Sequence, residues 1–137
     1  IKDGVIVKAS EPKITCQCIR VPVLNGHTAA VFVKFRKKPT KEELIDRLVK
    51  FSGLPQELKL PSAPEQFIQY LEEDNRPQVS LDVVYENGMG ISVGRIREDS
   101  IYDYKFVGLS HNTVRGAAGG AVLCAELLTA QGYIQAK

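Results

Sequence analysis

Ile14-Thr15-Cys16-Gln17-Cys18-Ile19-Arg20-Val21-Pro22-Val23-Leu24-Asn25-Gly26-His27-Thr28-Ala29-Ala30-Val31-Phe32-Val33-Lys34-Phe35 reads as strand, turn and strand. β-Branched and aromatic residues crowd both flanks, which predicts strands over Ile14–Val21 and Ala29–Phe35. Between them, Pro22 has no N–H to give a ladder and Asn25-Gly26 tolerates positive φ. The chain should therefore turn there and leave His27 at the mouth of a sheet. Arg20 and His27 stand seven positions apart around that turn. An Arg fork holds a carboxylate through two parallel hydrogen bonds, and a His takes and returns a proton near neutrality. The pair suits an acid binder beside a proton carrier. A plainer reading stands beside it, with His27 a turn residue bonded to backbone and Arg20 an ion-pair partner for a neighbouring strand.

Working outward, Val5–Ala9 predicts a further short strand, set off by Ser10-Glu11-Pro12. Downstream, Thr40 and Glu43 stand three apart ahead of Leu44, Ile45, Leu48 and Val49, which is a capping box before an amphipathic helix. That helix should cover one face of the sheet. Gly and Pro between Ser52 and Pro64 predict an irregular connection, and Phe67–Leu71 fits either a strand or a short helix. Val79, Leu81, Val83 and Tyr85 alternate with polar residues, as do Met89, Ile91 and Val93 after Asn87-Gly88, which predicts a two-residue hairpin. Tyr102–Leu109 predicts another strand. From Asn112, whose side chain can cap a helix, a helical run should extend to about Ala130 and stop before Gly132. The pattern predicts an α+β domain, a mixed β-sheet with helices packed on one face.

A chain of 137 residues with 44% hydrophobic content suffices for one core but not for a dinucleotide-binding domain as well. The nearest Gly-rich pattern, Asn87-Gly88-Met89-Gly90-Ile91-Ser92, lacks the last Gly of the dinucleotide fingerprint and sits between strand-like runs, so a Rossmann fold is not expected. Eighteen Lys plus Arg against sixteen Asp plus Glu are interleaved, with Lys34, Arg36, Lys37 and Lys38 the one local excess. That argues against a nucleic-acid partner. No apolar run approaches the roughly 20 residues that span a bilayer, and the start has no signal-peptide pattern. A cytoplasmic protein without membrane attachment is expected. The odd count of three cysteines argues against a disulfide framework. Cys16 and Cys18 lack a third ligand at metal spacing, so no metal site is expected and both should be small buried side chains.

A second block sharpens the reading. Leu109-Ser110-His111-Asn112-Thr113-Val114-Arg115-Gly116-Ala117-Ala118-Gly119-Gly120 is followed by Ala121-Val122-Leu123-Cys124-Ala125-Glu126. With the Arg20–Thr28 stretch, and with Glu72–Gln78 and Gly94–Asp99 between, it closely resembles the C-terminal half of the aspartate-semialdehyde dehydrogenases, in their fungal and archaeal form. The resemblance implies a catalytic and dimerisation region over residues 1–108, and over 109–137 a C-terminal helix that packs on an NADP-binding domain supplied by residues upstream. It implies that His27 is the catalytic acid/base, that Arg20 holds the substrate carboxylate, and that Asn112 contacts NADP. None of the three cysteines lies in the family's nucleophile motif, so the isolated region should not turn over substrate. It also implies a homo-oligomer, dimer or tetramer, formed through the sheet. His111, next to the helix start, is expected to be structural. Gly116, Gly119 and Gly120 should serve close helix packing rather than phosphate binding. Two rival readings remain: a relative of malonyl-CoA reductase, whose substrate also carries a carboxylate, and a non-catalytic dimerisation module.

Overall fold

The computed structural model describes residues 1–135. Four strands, β1 (His27–Val33), β2 (Ile68–Leu71), β3 (Ile91–Glu98) and β4 (Tyr104–Ser110), form one sheet in the order β1-β4-β3-β2. β4 runs antiparallel to β1 and β3, whereas β2 runs parallel to β3, so the sheet is mixed as expected. Helix α1 (Lys41–Val49) starts at the expected capping box. Thr40 Oγ1 accepts from Glu43 N–H at 3.1 Å and the Glu43 carboxylate accepts from Thr40 N–H at 2.8 Å. The helix buries Leu44 against Val93, Ile96 and Tyr104. Val33, Ile68, Tyr70, Ile91 and Phe106 pack around them, and strand register places these residues on one face.

Helix α2 (Leu54–Glu57) interrupts the irregular connection before β2, which resolves the ambiguous Phe67–Leu71 stretch as a strand. The predicted hairpin around Asn87-Gly88 is not formed. Val79–Asp82 is instead a helical turn, α3, and Tyr85–Gly88 is a 3₁₀ turn. The reason is topological: β3 pairs with β2 in parallel, and parallel neighbours need a long crossover, not a tight turn. Residues 72–90 are that crossover. The dipeptide still turns, with Asn87 at φ 54° and Gly88 at φ 80°. Val79 and Val83, two residues of the alternating pattern, are also four apart, so a helical turn puts both on one side, where they meet Leu109 beside Gly26.

The strands predicted over Val5–Ala9 and Ile14–Val21 also do not form. Apart from one isolated bridge between Lys2 and Val5, residues 1–26 have no ladder partner among the described residues. β-Branched sequence marks compatibility with a sheet, not the presence of a neighbour to pair with. Cys16 and Cys18 lie in this stretch and are exposed, not buried as expected. Helix α4 (Gly119–Ala130), preceded by a π-helical turn over Val114–Ala118, ends before Gly132 as predicted. It packs Leu123 into a second cluster with Leu60 and Met89, and Glu126 accepts from Ser62 Oγ at 2.7 Å and Ser62 N–H at 3.0 Å.

Candidate functional site

β1 begins at His27, and its register partner is Ser110, the last residue of β4. The antiparallel ladder thus brings the entry of one strand beside the exit of another, and Asn112 follows two residues later. Gly26 N–H donates to Asn112 Oδ1 at 2.8 Å, a bond between residues 86 apart in sequence. The His27 side chain is exposed. Register puts His27, Ala29, Gly108 and Ser110 on one face. Ala29 is exposed and a Cβ on Gly108 would meet nothing within 4 Å. Small residues therefore leave open space beside the imidazole, enough for a substrate or a further domain to approach.

The Gly26 peptide is held from the other side as well. A Cβ there would stand 3.2 Å from Leu109 Cδ1 and Val83 Cγ2 and 3.5 Å from Val79 Cγ1, so any side chain would push these neighbours back by a few tenths of an ångström, on top of the strain of φ +102°. α3 is itself anchored. Asp82 is 4% exposed and takes a two-pronged ion pair from Arg76, whose Nε lies 2.8 Å from Oδ2, and also accepts from Gln78 N–H at 2.7 Å. The Arg76 guanidinium, helped by the Gln78 amide, holds the Asp82 carboxyl below its ordinary range despite burial. The buried Ser92 hydroxyl bonds Asp82 C=O at 3.3 Å and accepts from Gln69 Nε2 at 2.9 Å, tying α3 to β2 and β3. Sequence patterning did not single out Arg76, Asp82 or Ser92. The one available signal was Asp82 in a segment read as a strand, with Arg76 close before it in sequence, since a carboxylate that becomes buried needs a partner.

Asn112 does not cap the helix that follows it. Its neighbour does: His111 Nδ1 accepts from Thr113 N–H and Val114 N–H, both at 3.2 Å, which places the neutral ring's proton on Nε2. His111 is 8% exposed and its ring packs against Gly88, so the structural expectation for it agrees with the geometry. Of the glycines that follow, Gly119 fits close packing, against Met89 and Val114 of this same chain. Arg115 lies over the Phe67 ring at 4.5 Å, and burial pushes its pKa down without removing its charge. Arg20, by contrast, lies in the exposed irregular stretch and makes no ion pair or hydrogen bond among the described residues. The structure thus brings His27 and Asn112 together and does not join Arg20 to them. Among the described residues, no group of three or more His, Cys, Asp or Glu is placed to hold a metal, and no helix is long and apolar enough to cross a membrane.

A four-stranded mixed sheet with helices packed against it, an exposed imidazole at the start of one strand and, among the described residues, no nucleotide-binding unit defines an α+β domain. The chain belongs to the family of semialdehyde dehydrogenase dimerisation domains, whose model matches residues 2–115. It is 45% identical over 130 residues to an aspartate-semialdehyde dehydrogenase of Candida albicans, covering 93% of this chain and 36% of that protein. It is 44% identical over 117 residues to a malonyl CoA reductase (NADP) of Metallosphaera sedula, covering 84% and 33%. A crystal structure of aspartate semialdehyde dehydrogenase with NADP from Candida albicans superposes with a TM-score of 0.82 at 42% identity, over 95% of this chain and 37% of that one. The chain spans about a third of the length of the relatives it matches.

Proposed function

We propose that this chain is the C-terminal part of an NADP-dependent aspartate-semialdehyde dehydrogenase of amino-acid biosynthesis. The overall reaction is L-aspartate 4-semialdehyde, phosphate and NADP going to L-4-aspartyl phosphate and NADPH. The observation that carries the reading is the correspondence with the Candida albicans enzyme in both sequence and fold across more than nine-tenths of this chain. On this reading His27 is the acid/base. From the start of β1 its imidazole faces open space, where it can take the proton of an incoming thiol and steady the oxygen of the tetrahedral adduct. Arg20 closes a charge-assisted fork on the α-carboxylate; its present lack of partners leaves all its donors for that purpose. Asn112 is suited to the nicotinamide end of NADP because its oxygen is already engaged by Gly26, which leaves the amide NH2 as the free donor toward a carboxamide. NADP supplies the hydride acceptor.

On this reading residues 1–108 form the catalytic and dimerisation part, and the stretch 109–137, whose last two residues lie outside the described residues, carries the helix α4 that meets the NADP domain. The exposed Ala121, Val122, Cys124 and Ala125 are small enough for close packing there. The protein acts in the cytoplasm as a homo-oligomer, dimer or tetramer, joined through the sheet, with no nucleic-acid or membrane partner. The domain alone lacks a nucleophile and is inactive. The test follows NADPH absorbance with the semialdehyde, NADP and phosphate, using protein that includes the upstream domain, with His27→Ala as control. A fall of about two to four orders of magnitude in the variant, with residual turnover, supports the reading. Activity that survives undiminished removes His27 from the chemistry. The 44% identity to the Metallosphaera sedula enzyme favours one second reading, reduction of a malonyl thioester, and turnover with malonyl-CoA but not the semialdehyde would select it.

A further inference from the structure

We propose that Asn112 is a positioning residue for His27: its side-chain oxygen accepts Gly26 N–H and so fixes the peptide from which the imidazole projects. The proposal rests on the reading of His27 as the acid/base. Four observations converge on it. The bond is short, at 2.8 Å, and joins the entry of β1 to the exit of β4. His27↔Ser110 is the last pair of its ladder, where sheet hydrogen bonding ends and fraying begins, so the anchor lies one residue beyond the point at which the ladder stops holding the chain. Gly26 is half-buried between exposed Asn25 and exposed His27, its φ is +102°, and Val79, Val83 and Leu109 crowd its other side. Apolar side chains thus crowd the α-carbon while the Asn112 oxygen is the one side-chain acceptor on the peptide N–H among the described residues, and removing it leaves that N–H without this bond. Finally, the capping duty that a residue at this position would ordinarily perform is taken by His111, which leaves the Asn112 oxygen to Gly26.

The chemistry explains why an amide suits the position. Its oxygen serves the Gly26 peptide while its nitrogen stays available to a ligand, so a single side chain sets the distance between the acid/base and whatever lies against Nδ2. Asn112→Asp keeps an acceptor for Gly26 and removes the donor. Asn112→Ala removes both.

The test measures hydrogen exchange of peptides covering residues 24–28 in the intact protein and in both variants, together with kcat in a double-mutant cycle with His27→Ala. In Asn112→Ala, exchange across 24–28 should rise about fivefold, the factor that one net hydrogen bond is worth, while peptides from β3 and β4 keep their protection. Asn112→Asp should retain the protection. The part of the kcat loss that Asn112→Ala shows beyond Asn112→Asp, which is the part not owed to the missing donor, should be absent when His27 is already Ala, because a positioning residue has nothing left to position. Unchanged exchange at 24–28 in Asn112→Ala overturns the proposal, as does a kcat loss that adds in full to that of His27→Ala. If Asn112→Ala loses protection throughout the sheet, the Asp variant decides, and loss at 24–28 there overturns the anchor. Turnover indifferent to His27→Ala would defeat the acid/base assignment and, with it, the positioning of catalysis, while the exchange result would still report on the Gly26 anchor by itself.

Discussion

Gly26 occupies a left-handed backbone conformation where an added methyl group would press on Leu109 and Val83. Gly26→Ala therefore carries two penalties, the strain of positive φ and contact with Leu109 and Val83 at 3.2 Å. Strain alone is worth roughly 1–3 kcal/mol, and the urea unfolding free energy should fall by at least that much. In full-length protein the variant should also lower kcat more than it raises KM, since the displaced peptide carries His27. An unfolding free energy equal to wild type would show that the loop relaxes without cost. Part of this residue-scale picture is legible in sequence. Asn25-Gly26 announces a turn, and Arg20 and His27 announce their chemistry by residue type. The Gly26–Asn112 bond is not legible, because a contact between residues 86 apart leaves no local pattern. The capping role is a related case: Asn112 is the better capper by type, yet tertiary structure gave its oxygen a different donor and the cap went to His111.

At the scale of elements, α1 was readable because everything that specifies it lies within ten residues. Thr40→Ala should cost about 1 kcal/mol in unfolding free energy, the usual value of a lost N-cap, and an unchanged urea midpoint would mean that packing of Leu44 alone holds the helix. α3 was misread because Val79, Leu81, Val83 and Tyr85 satisfy a period of two, while Val79 and Val83 also satisfy a helical spacing of four. What decided between them was the parallel pairing of β2 with β3, together with an Arg76–Asp82 pair that spans the turn. Three carboxyls are depressed, and of these Glu98, paired with Lys38 in the open, is screened by solvent, so Asp82 and Asp99 carry most of the acid response. Asp82 is lowered first by Arg76, and Asp99 is lowered to about 2 by the Tyr102 and Ile101 amides and then by Lys105, as it closes the β3–β4 turn. A depressed carboxyl contributes stability that is present above its unfolded value, near 3.9, and lost as pH falls through the folded value. Stability should therefore hold to about pH 4 and decline between 4 and 2. Asp99→Asn should lower stability at pH 7 and flatten that decline. Urea midpoints at pH 7, 4, 3 and 2 test this, and a variant whose midpoint falls as steeply as wild type below pH 4 would remove Asp99 as a cause.

For the molecule as a whole, the sheet is covered unevenly. α1 fills one face toward β2 and β3, while on the opposite face α3 and the residues before it lie against Leu109, Ser92 and Gly94. On that second face Ala30, Phe32 and Val107 follow in register with little above them, and Phe32 leans on Tyr102 with ring centroids 6.1 Å apart. Phe32 is 54% exposed and Tyr102 is 45% exposed. Further along the chain's surface, Ile6, Ile14, Ile19 and Leu24 are each at least 75% exposed, in a stretch that the sequence marked as strand-forming and that finds no ladder here. A surface with this much uncovered apolar area marks a place of contact, and because the matching family model is a dimerisation domain, a second copy is the candidate occupant. Fold class was legible because alternation and capping are local, whereas what covers these residues was not, since no described residue of the chain covers them. Sequence can show a strand-like segment without showing what it pairs with. If the Ala30–Phe32–Val107 face lies in the dimer contact, Phe32→Glu should weaken association by one to two orders of magnitude, the equivalent of roughly 1.5–3 kcal/mol for one large side chain. Because Phe32 is already half exposed in the single chain, its substitution should leave the unfolding midpoint of the separated subunit nearly unchanged. Sedimentation velocity across a concentration series distinguishes the cases: a shift toward the monomer in Phe32→Glu places the contact on this face, and a distribution identical to wild type moves it to the 1–26 stretch.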